Sequence, residues 1–231
     1  MYGEETLKDP FMAIRPHNGE RMKRQKLFGN LDWLFFDLGS TLVDESKAYE
    51  HRIREIADIS HRSYGELLEY ARSAYRQNIK GDLAAARMAG IPLPAWHKEE
   101  EVLYPDTAAC LRELSSRYYI GIIANQSPGT VRRLKAYGLM PYIELVIASA
   151  EEGLSKPDPE IFRIALAKSH CRPENTVMIG DRIDNDIVPA KLLGMKTIWI
   201  RQGPWREWNI CRKIENPDCI VDSLTELCNI L

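Results

Sequence analysis

The chain has 231 residues, 45% of them hydrophobic, with 31 Lys and Arg against 33 Asp and Glu and a formal net charge of −2. That length supports an ordinary core in one domain, with or without a modest insertion, and the balanced charge excludes a polyanion-binding surface, so nucleic acid is not an expected partner. No apolar run approaches the ~20 residues of a membrane span and no apolar signal segment is seen near the first residues, so no membrane partner is expected and the cytoplasm is the expected compartment.

Residues 1–30 are polar and broken by Gly3, Pro10, Pro16, Gly19 and Gly29, and read as an irregular N-terminal extension; Met22, inside a basic cluster from Arg21 to Lys26, is a second candidate start. From Leu31 short apolar runs ending in acidic or turn residues alternate with segments of helical period. The runs 31–36, 118–124, 145–148, 177–179, 197–200 and 219–221 read as strands. Helices are expected at 107–117, 128–137, 159–169, 184–193 and 223–230. This alternation predicts an α/β fold, a Rossmann-like parallel sheet with helices on both faces.

One interval breaks the rhythm. Residues 45–104 contain no strand-like run, only helical periods at 46–59, 63–79 and 81–89, with Ser63 and Glu66 spaced as a capping box. The expected organisation is a core formed by 31–44 and 105–231 with an all-α module at 45–104 inserted after the first strand. The five cysteines, Cys110, Cys171, Cys211, Cys219 and Cys228, form no C-x-x-C pair and read as reduced thiols.

In an open parallel sheet the ligand site lies beyond the carboxyl ends of the strands. The residues that follow the apolar runs are Asp37, Asn125, Lys156 in the loop 153–159, and Asp181, Asp184 and Asp186 in the stretch 180–186. Several carboxylates converging on one crevice repel unless a cation compensates, and an all-oxygen set fits Mg²⁺. A carboxylate near Mg²⁺ and a lysine can attack phosphorus, because both cations offset the charge of the nucleophile and of the phosphoryl oxygens. Asp37 is therefore the candidate covalent nucleophile.

The segments Phe36-Asp37-Leu38-Gly39-Ser40-Thr41-Leu42-Val43-Asp44, Ser155-Lys156-Pro157-Asp158-Pro159 and Gly180-Asp181-Arg182-Ile183-Asp184-Asn185-Asp186 resemble, in order, the first, third and fourth motifs of the haloacid dehalogenase superfamily. The helical insertion is similar to that family's small α-helical cap. The resemblance implies a Mg²⁺-dependent phosphohydrolase of a small phosphorylated metabolite, working through an aspartyl-phosphate on Asp37. It implies Mg²⁺ ligation by Asp37, the backbone carbonyl of Gly39, and Asp181, with Asp186 orienting bound water. It also implies that Lys156 bridges nucleophile and phosphate, and that Asn125 and the N–H groups of Gln126 and Ser127 meet the phosphate oxygens where the next helix starts, with Ser127 as N-cap and Pro128 following.

Two positions depart from the family pattern. Gly39 stands where such phosphatases usually carry a second aspartate that shuttles protons, and Ala124 stands where a hydroxyl is usual. These departures motivate an alternative, a binding or regulatory protein that keeps the fold while hydrolysing little. A 2-haloacid dehalogenase is a further alternative, against which the acidic loop speaks. Asp44 and Asp184 are expected to serve turns or helix caps; His51, Arg52, Arg54, Arg72, Arg76, Lys80, Arg87, Trp96 and His97 read as surface or helix-pair residues of the module. Trp205 and Trp208 are expected to pack under the sheet edge. The protein is expected to be a monomer or homodimer.

Overall fold

The computed structural model describes residues 28–231. The basic cluster, Met22 and most of the expected N-terminal extension lie outside the described residues.

Six parallel strands form the main sheet: β1 (Trp33–Phe36), β4 (Tyr119–Ala124), β5 (Leu145–Ala148), β6 (Thr176–Gly180), β7 (Lys196–Ile200) and β8 (Cys219–Val221). Their spatial order is β5-β4-β1-β6-β7-β8, so β1 is central, with Phe36 opposite Ile122 on one side and Ile179 on the other. Alternation along β1 shows why the sheet is covered on both faces. Leu34 and Phe36 enter a cluster with Cys110, Leu111 and Leu114 of α4 (Thr107–Ser115) and Leu224 and Leu227 of α9 (Leu224–Ile230). Phe35 points the other way, toward Ile161, Phe162 and Ala165 of α7 (Pro159–Ser169). Both faces are apolar because successive strand residues face opposite layers and neither layer is water.

The segment after β1 makes a two-residue antiparallel ladder, β2 (Val43–Asp44) with β3 (Val102–Leu103), which brings together the two ends of the helical insertion. Between them lie α1 (Ser46–Ser60), α2 (Tyr64–Arg76) and α3 (Gly81–Ala89). These helices pack on one another around Ile53, Ile56, Leu67, Ala71, Ala85 and Ala86, a cluster separate from those of the sheet. Arg52 is buried here, donating to Asp82 at 2.7 Å and lying over the Trp96 ring, which makes it a helix-pair residue. Ser63 caps α2 by accepting the Glu66 N–H.

Trp205 departs from the expected position under the sheet edge. It is buried against Tyr75 of α2 with ring centroids 4.9 Å apart, and the Arg182 guanidinium lies over its ring, 4.5 Å from the centroid, so it bridges the helical insertion and the loop after β6. A cleft of about 440 Å³ opens beside it, lined by residues including Tyr49, Arg72, Tyr104, Arg201 and Gly203.

Candidate active site

Asp37 follows β1 directly, and its N–H donates to the Ile179 carbonyl at 2.9 Å, so the strand ladder itself fixes where its side chain leaves the sheet. Beyond it the chain turns tightly, with the N–H groups of Leu42 and Val43 both donating to the Leu38 carbonyl. Asp181 follows β6 in the same way. A single π-helical turn, Ile183–Ile187, then swings Asp186 back toward the strand end before α8 (Val188–Leu192) begins. The expected helix at 184–193 is therefore split, and the wider turn is the type of irregularity often found at functional sites.

The fold brings Asp37, Asp181 and Asp186 together, with carboxylate oxygens within 4.8 Å of one another. Lys156 reaches them from the loop preceding α7. Its Nζ donates to Asp37 Oδ1 at 2.7 Å, to Asp186 Oδ1 at 2.6 Å and to the Ile123 carbonyl at 2.8 Å. The three acceptors match the three donors of an ammonium. The second Asp186 oxygen accepts the Arg182 N–H at 3.0 Å.

Electrostatics follow from burial. Asp181, 2% exposed, is pushed well above the usual carboxylate range by burial, with Asp37 and Asp186 adding repulsion. Burial also lifts Asp186, to about 6, against the opposing pull of Lys156. Burial disfavours the Lys156 ammonium, yet Asp186 and Asp37 outweigh it and hold its pKa above the ordinary lysine value. One ammonium among three carboxylates leaves an excess of negative charge that an oxygen-seeking divalent cation offsets, and the donor set fits Mg²⁺ on that ground.

Other sequence-predicted residues have partners within the fold. The Asn125 side chain accepts the Lys156 N–H at 2.7 Å and donates to the Lys156 carbonyl at 2.8 Å, an amide pair that pins the lysine loop to the end of β4. The Gln126 N–H donates to Ser149 Oγ at 2.9 Å, and the Ser127 hydroxyl accepts from Lys98. The next helix, α5 (Thr130–Ala136), starts two residues later than expected, because Gly129, not Ser127, takes the cap position with φ 94°. The Glu151 carboxylate accepts the N–H groups of Gly129 and Thr130. Of the expected pair of amides, the Gln126 N–H is thus committed to Ser149. Asp184 pairs with Arg182, and Asp44 accepts the Ser46 N–H at the start of α1.

Glu45 is a residue that sequence reading passed over. It stands at the cap position of α1, but its side chain makes no capping bond and turns inward, accepting the Ser40 hydroxyl at 2.8 Å. Burial lifts its carboxyl to about 7; the Ser40 bond opposes this, while Glu101 and Asp37 add to it. The one sequence signal was chemical: glutamate is a poor N-cap beside aspartate and serine, and it sits between one of each.

A family model described as haloacid dehalogenase-like hydrolase matches residues 31–194. Glyceraldehyde 3-phosphate phosphatase of Pyrococcus furiosus is 32% identical over 222 residues, covering 86% of this chain and 92% of that protein. Phosphoserine phosphatase of Thermus thermophilus is 36% identical over 103 residues, 44% of this chain and 41% of that protein. Among solved structures, an HAD phosphatase from Thermococcus onnurineus aligns with a TM-score of 0.56 at 25% identity, over 87% of this chain and 97% of that one. The HAD-hydrolase YfnB of Bacillus subtilis, solved bound to magnesium, shares the fold with a TM-score of 0.61 at 20% identity, over 87% and 99% of the two chains.

Proposed function

The chain belongs to the haloacid dehalogenase-like hydrolases, and from that premise we propose that it is a Mg²⁺-dependent phosphohydrolase of a small phosphorylated metabolite, with Asp37 as the nucleophile. The observation that carries the reading is Lys156 bridging Asp37 at 2.7 Å and Asp186 at 2.6 Å, with Asp181 in the same cluster. The three close acids favour this over halide displacement from a haloacid, which needs no cation and gains nothing from their repulsion.

Asp37, the Gly39 carbonyl, Asp181 and Asp186 are the residues that would hold Mg²⁺, which when bound supplies positive charge against the nucleophile and the phosphoryl oxygens. Asp37 Oδ attacks phosphorus and the bond to the alcohol oxygen breaks, leaving an acyl phosphate on Asp37. Water then attacks phosphorus and releases inorganic phosphate, restoring the carboxylate. Lys156 keeps Asp37 aligned and partners the phosphate, while Asn125 fixes the backbone on which Lys156 stands. The Gln126 N–H meets the phosphate only when it gives up its present bond to Ser149. The helices between β2 and β3 act as the cap that closes over the strand ends, and the adjoining cleft accommodates the organic part of the substrate.

The test is hydrolysis of p-nitrophenyl phosphate and acetyl phosphate with Mg²⁺ or with EDTA, followed by glyceraldehyde 3-phosphate and phosphoserine, the substrates named for two relatives. Turnover is expected only with Mg²⁺, and Asp37→Asn is expected to abolish it while thermal unfolding stays near that of the unmodified protein. Undiminished turnover in Asp37→Asn would overturn the nucleophile assignment.

A further inference from the structure

Expelling an alcohol from a phosphate ester leaves an alkoxide that needs a proton, and the water that later attacks the acyl phosphate must lose one. Asp37 is the nucleophile, Asp186 accepts from Lys156, and Asp181 and Asp186 would hold the cation, so none of these three is free for that work. Glu45 is a further carboxyl, close enough to repel Asp37 and Asp181.

Its placement is specific. A Cβ built on Gly39 would lie 2.5 Å from Glu45 Oε1 and 2.9 Å from Oε2, so the Glu45 carboxyl fills the space that a side chain at position 39 would enter. Glu45 is anchored through one oxygen only, by the Ser40 hydroxyl at 2.8 Å, and Oε1 takes no hydrogen bond from the described residues. Helix capping does not account for it, since Asp44 already accepts the Ser46 N–H and the Glu45 side chain makes no cap bond. The missing side chain at Gly39 and the inward turn of Glu45 are two sides of one arrangement: the glycine leaves room and the glutamate occupies it.

We propose that Glu45 is the proton-transfer residue of this hydrolase, donating to the leaving oxygen and then accepting from the attacking water; this rests on the phosphohydrolase reading above. In the first half-reaction the P–O bond to the alcohol breaks as the Asp37 O–P bond forms, and the Glu45 proton passes to the alkoxide to give the alcohol. In the second, water forms a bond to phosphorus, the Asp37 O–P bond breaks, and one water proton returns to Glu45. The sum is ester plus water giving alcohol plus phosphate, with both carboxyl groups restored.

The experiment compares p-nitrophenyl phosphate, whose leaving phenolate needs little protonation, with phenyl phosphate, whose leaving group needs more, both with Mg²⁺. Glu45→Gln keeps the shape and the acceptor for Ser40. It is expected to lose about 10²-fold or more in kcat on phenyl phosphate and only a few-fold in the first half-reaction burst on p-nitrophenyl phosphate. In a Glu45→Ala background, where the space beside position 39 is vacated, Gly39→Asp is expected to recover at least tenfold on phenyl phosphate. In the unmodified background the same Gly39→Asp change forces two carboxyls to compete for one place and is expected to bring no gain. An equal loss in the rate of the first half-reaction on both substrates in Glu45→Gln, or no loss, overturns the proposal, as does failure of Gly39→Asp to rescue Glu45→Ala. Absence of Mg²⁺-dependent p-nitrophenyl phosphate turnover in the unmodified protein is a different failure, one that overturns the phosphohydrolase reading itself and this proposal with it.

Discussion

Replacing Lys156 by methionine removes a charge from the most enclosed part of the site. The lysine side chain is 1% exposed, and its partners Asp37 and Asp186 are 13% and 0% exposed. Methionine fills much the same volume but takes the ammonium donor from Asp186 Oδ1, Asp37 Oδ1 and the Ile123 carbonyl. Removing one member of a buried pair typically destabilises a protein by about 3–5 kcal/mol, which for a chain of this size lowers Tm by roughly 6–20 °C. The sign of the pH dependence follows from Asp186. Burial already raises its pKa to about 6 with the lysine beside it, and without the lysine it rises further. A carboxyl raised in the folded state takes up a proton before the unfolded chain does, so folding gains as pH falls through the raised value and the deficit shrinks. Thermal unfolding in EDTA is expected to show the full deficit at pH 8 and a smaller one at pH 5. Equal stability of the two proteins at pH 8, or the same deficit at both pH values, would refute the reasoning.

Asn125→Ala removes both bonds that hold the Lys156 backbone at 2.7 and 2.8 Å, so the ammonium loses its registration against Asp37. A displacement near 1 Å is enough to lower kcat by about 10²-fold, and steady-state kinetics should show kcat falling much more than KM changes. Gly180→Ala would put a Cβ 2.3 Å from Asp186 Oδ2 and 2.6 Å from Asp186 Cβ; because the second atom is tied to the backbone, rotation of the carboxylate does not relieve the clash. Overpacking of that kind costs about 1–3 kcal/mol, and calorimetry should show both the lower Tm and a smaller stabilisation by Mg²⁺ than in the unmodified protein.

The sheet was legible because buried parallel strands are continuous apolar runs: Tyr119–Ala124 and Lys196–Ile200 lie where the pattern placed them. The acids were legible because strand ends point at the crevice, which made Asp37 and Asp181 candidates before any geometry. What escaped were features without a period. The ladder of Val43–Asp44 with Val102–Leu103 is two residues long on each side, too short for alternation to register. Ser127 and Pro128 look like a helix start, but Gly129 can take a positive φ and Glu151 supplies the capping oxygen from far along the chain. Asn125 stands out as a strand-end residue, but its amide pairing with the Lys156 backbone, far along the chain, has no local mark. Glu45 was passed over for a related reason: its meeting with Gly39 depends on how the turn between them folds, and the only local mark is that glutamate is a poor N-cap.

The central position of β1 bears on how the chain is made. Its residues are the first of the sheet to be synthesised, yet its neighbours are β4, starting at Tyr119, and β6, starting at Thr176. A ribosome needs on the order of ten seconds to cover that interval, and one edge of an apolar strand has no partner until β4 emerges and the other none until β6 does. Asp37 leaves the sheet from this strand and Asp181 follows β6, so the nascent chain cannot hold an assembled site before the fourth motif has emerged. The helical insertion, by contrast, is contiguous in sequence and closes on its own cluster, so it can form first while the remainder arrives.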